Sequence, residues 1–140
     1  DLNIVSNIYK NLSLISYELG HLTKSLVYQQ KAISIQEVIL GNNHPNLAIS
    51  YSNIARIYQD LEYLQISLVY QQKAISIQEA VLGNNHPNLA ISYSNIARIY
   101  QDLGYLQEAL VYQQKAITIS KYNFPNGHPH LDILLKERTN

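Results

Sequence analysis

The stretch LGNNHPNLAISYSNIARIYQD at residues 40–60 is repeated, letter for letter, at residues 82–102. His44 recurs at His86 and again at His128, 42 residues further along the chain each time. A fixed period of about 20 to 50 residues is typical of stacked-repeat proteins, in which neighbouring units bury each other's apolar faces. The chain is therefore predicted to contain three repeat units and the start of a fourth.

Each unit is predicted to be a helical hairpin. Pro45 follows the polar residues NNH, and a proline in the first turn after capping residues indicates a helix start. The second helix is predicted over residues 64–82, closed by Gly83 in the left-handed conformation, as Gly41 closes the helix one unit earlier. Apolar residues of the first helix follow steps of four and three, which place them on one side: Leu47, Tyr51, Ile54, Tyr58 and Leu61.

The bend inside each hairpin falls at Gly20, Glu62 and Gly104, which occupy equivalent positions. Two glycines of three predict a tight turn that the glutamate tolerates. Small residues recur at fixed places in both helices and are interpreted as packing residues, because they let helices approach to about 8 to 10 Å. These residues are Ala48, Ala55, Ala74, Ala90, Ala97 and Ala116.

Composition excludes several classes of function. The 140 residues are 46% hydrophobic, which suits one domain, and ten basic residues balance ten acidic ones. Such a balance disfavours nucleic acid and membrane surfaces as partners. With no cysteine, there is no disulfide, thiolate zinc site or cysteine nucleophile.

No apolar run reaches the roughly 20 residues of a membrane span, and the N-terminus lacks Met and a basic segment. We expect a cytoplasmic chain, cut from a longer protein at a repeat boundary.

The repeated motifs resemble the tetratricopeptide repeats, in the 42-residue form of kinesin light chains. The segment YSNIARIYQDLGYLQEALVYQQKAI at residues 93–117 is similar to the core of that family, and LGNNHPNLA is similar to the linker of the kinesin light chain type. The sequence departs from the family pattern in having no tryptophan, in Glu62 where glycine is usual, and in Ser16 where Tyr58 and Tyr100 stand later.

The resemblance implies an all-α fold, a right-handed α-solenoid of three helical hairpins followed by a C-terminal capping helix. Residues 1–140 are expected to form one domain, with repeat units at 1–42, 43–84 and 85–126 and a partial fourth unit or cap at 127–140. In that last segment Leu131, Leu134 and Leu135 are expected to cover the third hairpin.

The resemblance also implies a scaffold for protein–protein interactions, because the family's first helices line a concave groove that holds a peptide. The implied groove residues are Lys10, Asn11, Leu14, Tyr17, Ile49, Ser52, Asn53, Arg56, Gln59, Asp60, Ile91, Ser94, Asn95, Arg98, Gln101 and Asp102. Self-association, by end-to-end stacking or domain swapping, is an alternative, since near-identical units have self-complementary ends. A further alternative is that the chain is a regulatory segment of a larger signalling protein.

Asn11, Asn53 and Asn95 form the sharpest binding hypothesis, because asparagine is a mediocre helix former and recurs in the middle of the first helix. An amide donates to a peptide carbonyl and accepts from a peptide N–H, so a row of amides could hold a peptide backbone of any sequence. The alternative is that duplication copied them and that they bond to a neighbouring helix or to water.

The repeated arginines have two interpretations. Arg56 and Arg98 could pair with acidic side chains or a C-terminal carboxylate of a partner. Alternatively, Asp60 and Asp102, each four residues further on, neutralise them as ordinary helix pairs.

His44, His86 and His128 are predicted to cap helices or to pack in turns rather than to bind a metal. They recur one per unit, and stacked helices lie about 8 to 10 Å apart, too far to share a metal coordinated at about 2 Å. His128 and His130, with Asp132 beyond, make a weak zinc motif without further ligands. No nucleophile with a base, phosphate loop or paired carboxylates are recognisable, so we expect neither an enzyme nor a cofactor.

Overall fold

A computed structural model describes residues 1–126, which form helices joined by short turns. The helices are α1 (Leu2–Glu18), α2 (Leu22–Leu40), α3 (Pro45–Asp60), α4 (Leu64–Leu82), α5 (Pro87–Asp102) and α6 (Leu106–Asn123). The all-α prediction is confirmed, as are the helix start at Pro45 and the second helix over residues 64–82. The expected cap at residues 127–140 lies outside the described residues.

The chain divides into two compact units, Asp1–Val81 and Leu82–Asn140. The first contains α1, α2, α3 and nearly all of α4, and the second contains α5 and α6. The buried cluster of the first unit joins residues of α2, α3 and α4: Ile33, Leu47, Ala48, Tyr51, Ile54, Tyr58, Ala74 and Ile77. Four of the five residues in the predicted α3 stripe are buried, and Leu61 is half-buried. The single-domain organisation stays a prediction.

The bends inside the hairpins share one helix-ending motif. Gly20, Glu62 and Gly104 have φ angles of 81°, 66° and 84°, in the region that disfavours side chains. The Glu62 N–H donates to the carbonyl of Gln59, and the next N–H donates to the carbonyl of Tyr58, both at 2.9 Å. This pair of bonds is the Schellman motif, whose left-handed position usually holds glycine. The prediction that glutamate tolerates the bend is confirmed.

The glycines that follow α2 and α4 both have positive φ, but Gly41 differs from the prediction in ψ. Gly41 has φ 75° but ψ −176°, and Gly83 has φ 80°. The prediction of a left-handed helical conformation at Gly41 is right in φ and wrong in ψ. The residue lies in a region essentially restricted to glycine, where positive φ is combined with an extended ψ. Extended ψ directs the chain away from the helix toward the next unit.

His44 and His86 cap the helices that follow them. The Nδ1 atom of His44 accepts the backbone N–H of Asn46 at 3.0 Å, and His86 accepts that of Asn88 at the same distance. A side-chain acceptor at this position satisfies one of the free N–H groups of the first turn. The capping role predicted for these two histidines is confirmed, whereas His128 lies outside the described residues.

Small residues bring the helices of each hairpin together. The Ser13 hydroxyl donates to the Ser25 carbonyl at 2.9 Å, and Ser25 donates to the Ser13 carbonyl at 2.8 Å. In the next hairpin Ser67 donates to the Ala55 carbonyl at 2.6 Å. The predicted packing alanines are buried in the structure, except that Ala90 is half-buried.

Tyrosines pack together within each hairpin. The rings of Tyr58 and Tyr70 are stacked with centroids 5.7 Å apart, and Tyr51 lies 5.8 Å from Tyr70. The Lys73 ammonium is 5.2 Å from the Tyr70 centroid. Burial raises the pKa of both Tyr51 and Tyr70, and the carboxylate of Glu37 raises it further. The second unit repeats this cluster with Tyr93, Tyr100, Tyr112 and Lys115.

Candidate functional site

A cleft of about 300 Å³ opens in the first unit where α1 and α3 meet. Six residues predicted from the sequence line it: Lys10, Asn11, Leu14 and Tyr17 from α1, with Asn53 and Arg56 from α3. The 42-residue period thus places the predicted residues of successive units beside one another. Four other residues also line the cleft and were not predicted: Ser13, Ser25, Gln29 and Ile57.

The lining of this cleft combines polar, cationic and apolar groups. Asn11 and Asn53 present amides, each able to donate and accept hydrogen bonds. Lys10 and Arg56 supply two positive charges, and Leu14 is 50% exposed. The cleft can therefore hydrogen-bond a backbone, attract a carboxylate and cover an apolar side chain.

Tyr17 connects the two helices at one end of the cleft. The Arg56 guanidinium carbon lies 4.4 Å from the centroid of the Tyr17 ring, a cation–π contact. The Tyr17 hydroxyl donates a hydrogen bond to the Asp60 carboxylate. The direct pair between Arg56 and Asp60, predicted as an alternative, is not among the contacts of the described residues. Tyr17 bridges the two instead, which holds the arginine against α1.

The second unit has its own cleft of about 230 Å³ between α5 and α6. Three predicted residues, Ile91, Ser94 and Asn95, line it, together with Ala90 and α6 residues that were not predicted: Gln113, Ala116, Ile117 and Ser120. Arg98 donates to the Asn95 side-chain oxygen at 2.7 Å. The Asn95 side-chain oxygen thus already accepts one hydrogen bond within its own helix, which leaves one of its two acceptor positions for a peptide N–H.

Several predicted groove residues lie outside the linings of the two clefts. In the first unit they are Ile49, Ser52, Gln59 and Asp60, and in the second they are Arg98, Gln101 and Asp102. The Ser52 hydroxyl accepts a hydrogen bond from the Gln71 amide at 3.1 Å, which ties α3 to α4. Ile49 is 48% exposed. Whether these residues contact a partner stays a prediction.

Buried polar residues fix α3 against α2, next to the first cleft. The Gln29 amide donates to the Ser50 carbonyl at 3.4 Å, and the Ser50 hydroxyl donates to the Gln36 side-chain oxygen at 2.6 Å. Nearby, the Gln30 amide donates to the Tyr58 hydroxyl at 3.0 Å. Buried polar groups need such partners, so these bonds fix how the two helices pack. In the sequence, the glutamine pair that recurs in the segment YQQKA was the pattern that could have indicated these hydrogen bonds.

Other kinds of site are not indicated by residues 1–126. Within this part of the chain no three His, Cys, Asp or Glu side chains are grouped so that they could hold a metal ion. None of its helices is both long enough and apolar enough to cross a membrane.

Most of the chain matches a known protein family. A family model described as the tetratricopeptide repeat matches residues 4–65 and residues 64–121. No curated protein matches the chain.

Solved structures share the fold. BtubC (BKLC) from P. vanneervenii is 20% identical, with a TM-score of 0.82 over 92% of this chain and 49% of that one. Nearly identical TPR-like repeats of a Podosopora anserina kinesin light chain are 24% identical, with a TM-score of 0.80 over 89% of this chain and 59% of that one. The N-terminal domain of stress-induced protein-1 from C. elegans is 17% identical, with a TM-score of 0.72 over 100% and 98%. The chain thus spans about half the length of the first two of these proteins. The predicted fold class, a helical-repeat solenoid, is confirmed by these structures.

Proposed function

The chain belongs to the tetratricopeptide repeat family, and from this premise we propose that it is a protein-interaction scaffold that binds a peptide or protein segment. The observation that supports this proposal is the cleft in the first unit, which six predicted residues line. We place the main binding contacts there.

The cleft favours an extended segment with an acidic group. Asn11 and Asn53 would exchange hydrogen bonds with the backbone of the segment, which makes few demands on its sequence. Lys10 and Arg56 would pair with a carboxylate, from an acidic side chain or from a C-terminus. Leu14, half exposed in the free chain, would be covered by an apolar side chain of the segment.

The cleft of the second unit would contribute less. The Asn95 side-chain oxygen already accepts one hydrogen bond from Arg98, so only one of its two acceptor positions remains for a peptide. The Arg98 guanidinium has further N–H donors for a carboxylate, so the second cleft also favours an acidic segment. We propose in addition that the protein is cytoplasmic, that it binds neither nucleic acid nor membranes, and that it has no catalytic activity.

A matched pair of double variants tests the first cleft. The site variant carries Lys10→Ala and Asn53→Ala, and the control carries Lys24→Ala and Asn46→Ala, which also removes one cation and one amide. Lys24 and Asn46 are exposed and do not line the cleft. A displayed library of random peptides is selected on the wild-type chain, and the affinity of each selected peptide is measured for all three proteins.

The site variant is expected to bind the selected peptides about tenfold or more weakly, since the lost bond between Lys10 and a carboxylate contributes roughly 1.5–3 kcal/mol and the lost bond between Asn53 and the backbone roughly 0.5–1.5 kcal/mol. The control variant should bind like the wild type. Circular dichroism verifies that all three proteins are equally helical. Equal affinities for the site and control variants, or a library that yields no binding peptide, would refute the proposal.

A further inference from the structure

The arginines of α3 and α5 are placed differently, although the two helices have the same 16 residues. In α5, Arg98 donates to the side-chain oxygen of Asn95 at 2.7 Å. In α3, no hydrogen bond joins Arg56 to Asn53 among the described residues, and the Arg56 guanidinium carbon lies 4.4 Å from the centroid of the Tyr17 ring instead. Because the helix sequences are identical, the difference must come from the surroundings of each helix.

Tyr17 is the neighbour that distinguishes Arg56. One repeat later, the residue at the corresponding position is Gln59, just as Arg98 corresponds to Arg56. A tyrosine ring attracts a cation to its face, and a glutamine offers no such face. The ring therefore holds Arg56 away from Asn53, and the Asn53 side-chain oxygen stays open to a ligand of the cleft that all three residues line.

The Tyr17 hydroxyl acts on the acid next to the arginine. It donates a hydrogen bond to the carboxylate of Asp60, which lies four residues after Arg56, the spacing of an ordinary helix ion pair. Within residues 1–126 the two charged groups form no such pair, so Asp60 is bonded to Tyr17 rather than to the guanidinium. Contact with a ring face uses none of the five guanidinium N–H donors, so they remain open to a carboxylate from outside.

We propose that Tyr17 makes the first cleft selective for a carboxylate over a neutral amide, as a positioning residue that acts through Arg56 and Asp60. The proposal rests on the proposed function, because it concerns the same cleft. The ring places the guanidinium before a ligand arrives, and the hydroxyl keeps Asp60 from neutralising it. Arg98 lacks both effects, so the second cleft discriminates less.

Two substitutions separate the roles of the ring and the hydroxyl. Tyr17→Phe removes only the hydroxyl, whereas Tyr17→Gln introduces the residue of the next repeat and removes the ring as well. Asp60→Asn is made in the wild type and in the Tyr17→Phe background. The matched control is Tyr122→Phe, which also removes a tyrosine hydroxyl, since Tyr122 is 66% exposed and lines neither cleft. Circular dichroism verifies that all variants are equally helical.

The measured quantity is the ratio of affinities for a peptide selected on the wild type and for its analogues in which a carboxylate is replaced by a carboxamide. The wild type should prefer the carboxylate about tenfold. Tyr17→Phe should lower the ratio about twofold, because Asp60 then pairs with Arg56. Tyr17→Gln should lower it about fivefold, because the cation–π contact is lost too. Tyr122→Phe should keep the wild-type ratio.

The effect of Asp60→Asn shows whether Tyr17 acts through Asp60. The substitution should raise the ratio about twofold in the Tyr17→Phe background and change it little where the hydroxyl still holds the acid. A Tyr17 that merely supports the fold would give the same effect of Asp60→Asn in both backgrounds. Such equal effects, or an unchanged ratio in both Tyr17 variants, would overturn the proposal.

An acetate titration of the free chain, followed by NMR, tests the same inference without a peptide. The Nε–H signal of Arg56 is identified by its loss in an Arg56→Lys variant. It should respond to acetate at about twofold lower concentration in the wild type than in Tyr17→Phe, and not to acetamide, while the Arg98 signal responds alike in both proteins. Equal responses of Arg56 in the two proteins would contradict the role of Tyr17. A library without a binding peptide would refute the proposed function instead, and this titration would still decide what Tyr17 does.

Discussion

Replacing Glu62 by glycine is expected to stabilise the protein. Glu62 is the one non-glycine residue with positive φ among the described residues, at 66°, and it occupies the place that Gly20 and Gly104 fill in the other hairpins. Its side chain is exposed and has no hydrogen bond within residues 1–126. The substitution therefore removes a backbone strain without removing a contact.

The size of the effect follows from two opposing terms. A left-handed conformation costs an ordinary residue about 1–2 kcal/mol, and glycine avoids this cost. Glycine gives the unfolded chain more freedom, which offsets about 0.5–1 kcal/mol. A net gain of about 0.5–1 kcal/mol remains, or about 2–4 °C in melting temperature for a chain of this size. The reverse change, Gly104→Glu, should lose a similar amount, because an added Cβ at Gly104 meets no atom within 4 Å.

Urea unfolding followed by circular dichroism compares the wild type, the two single variants and the double variant. The midpoint should move up for Glu62→Gly and down for Gly104→Glu, with unchanged slopes. The double variant merely exchanges the two residues and should return to the wild-type midpoint, because independent effects add. A loss of stability in Glu62→Gly, or no change in Gly104→Glu, would refute the attribution of the cost to positive φ.

Three further predictions concern stability and use the same unfolding assay. Ser6→Ala should stabilise the chain by about 1 kcal/mol, because the buried Ser6 hydroxyl has no hydrogen-bond partner among residues 1–126; a less stable variant would contradict this. His44→Ala should lose about 1 kcal/mol with the cap, whereas His44→Asn, another good cap, should lose little; equal losses would exclude capping as the cause. Burial raises the folded-state pKa of Tyr51 and Tyr70 above the ordinary value of about 10. The contribution of these two tyrosines to the unfolding free energy is present below a pH of about 10 and is lost as the pH rises through the folded-state pKa. A variant that carries both Tyr51→Phe and Tyr70→Phe should therefore lose unfolding free energy less steeply than the wild type above a pH of about 10. An equally steep loss in the two proteins would contradict this prediction.

The helix boundaries could be predicted because each signal occurs several times. Pro45 and its copy begin helices, the bend glycines end them, and the period aligns the copies, so a weak local preference is supported by its repetition. The period also fixed which residues of α1 and α3 are equivalent. For that reason Asn11 and Asn53 could be assigned to one surface, and both line the same cleft.

Features that depend on neighbouring helices could not be predicted in this way. Ile57 was left out of the predicted core because a single apolar stripe explains one buried side, whereas α3 is packed by both α2 and α4. The bridge through Tyr17 was missed because the equivalent positions hold Gln59 and Gln101, so no repeated pattern reveals it. Cleft residues from the second helices, such as Gln29, are set by how two helices meet, which periodicity within one helix does not specify.

The identity of α3 and α5 has a consequence for the folding kinetics of the chain. Both helices have the sequence PNLAISYSNIARIYQD, so the surface that α2 recognises on α3 is also present on α5. An intermediate in which α2 packs on α5 would form the same contacts and leave a 42-residue unit looped out. The entropic cost of closing a loop grows only as the logarithm of its length, by about 0.6 kcal/mol per doubling. The longer loop therefore opposes this alternative packing only weakly. Refolding is therefore expected to pass through a register-shifted trap, visible as a slow phase that substitutions distinguishing α3 from α5 would remove.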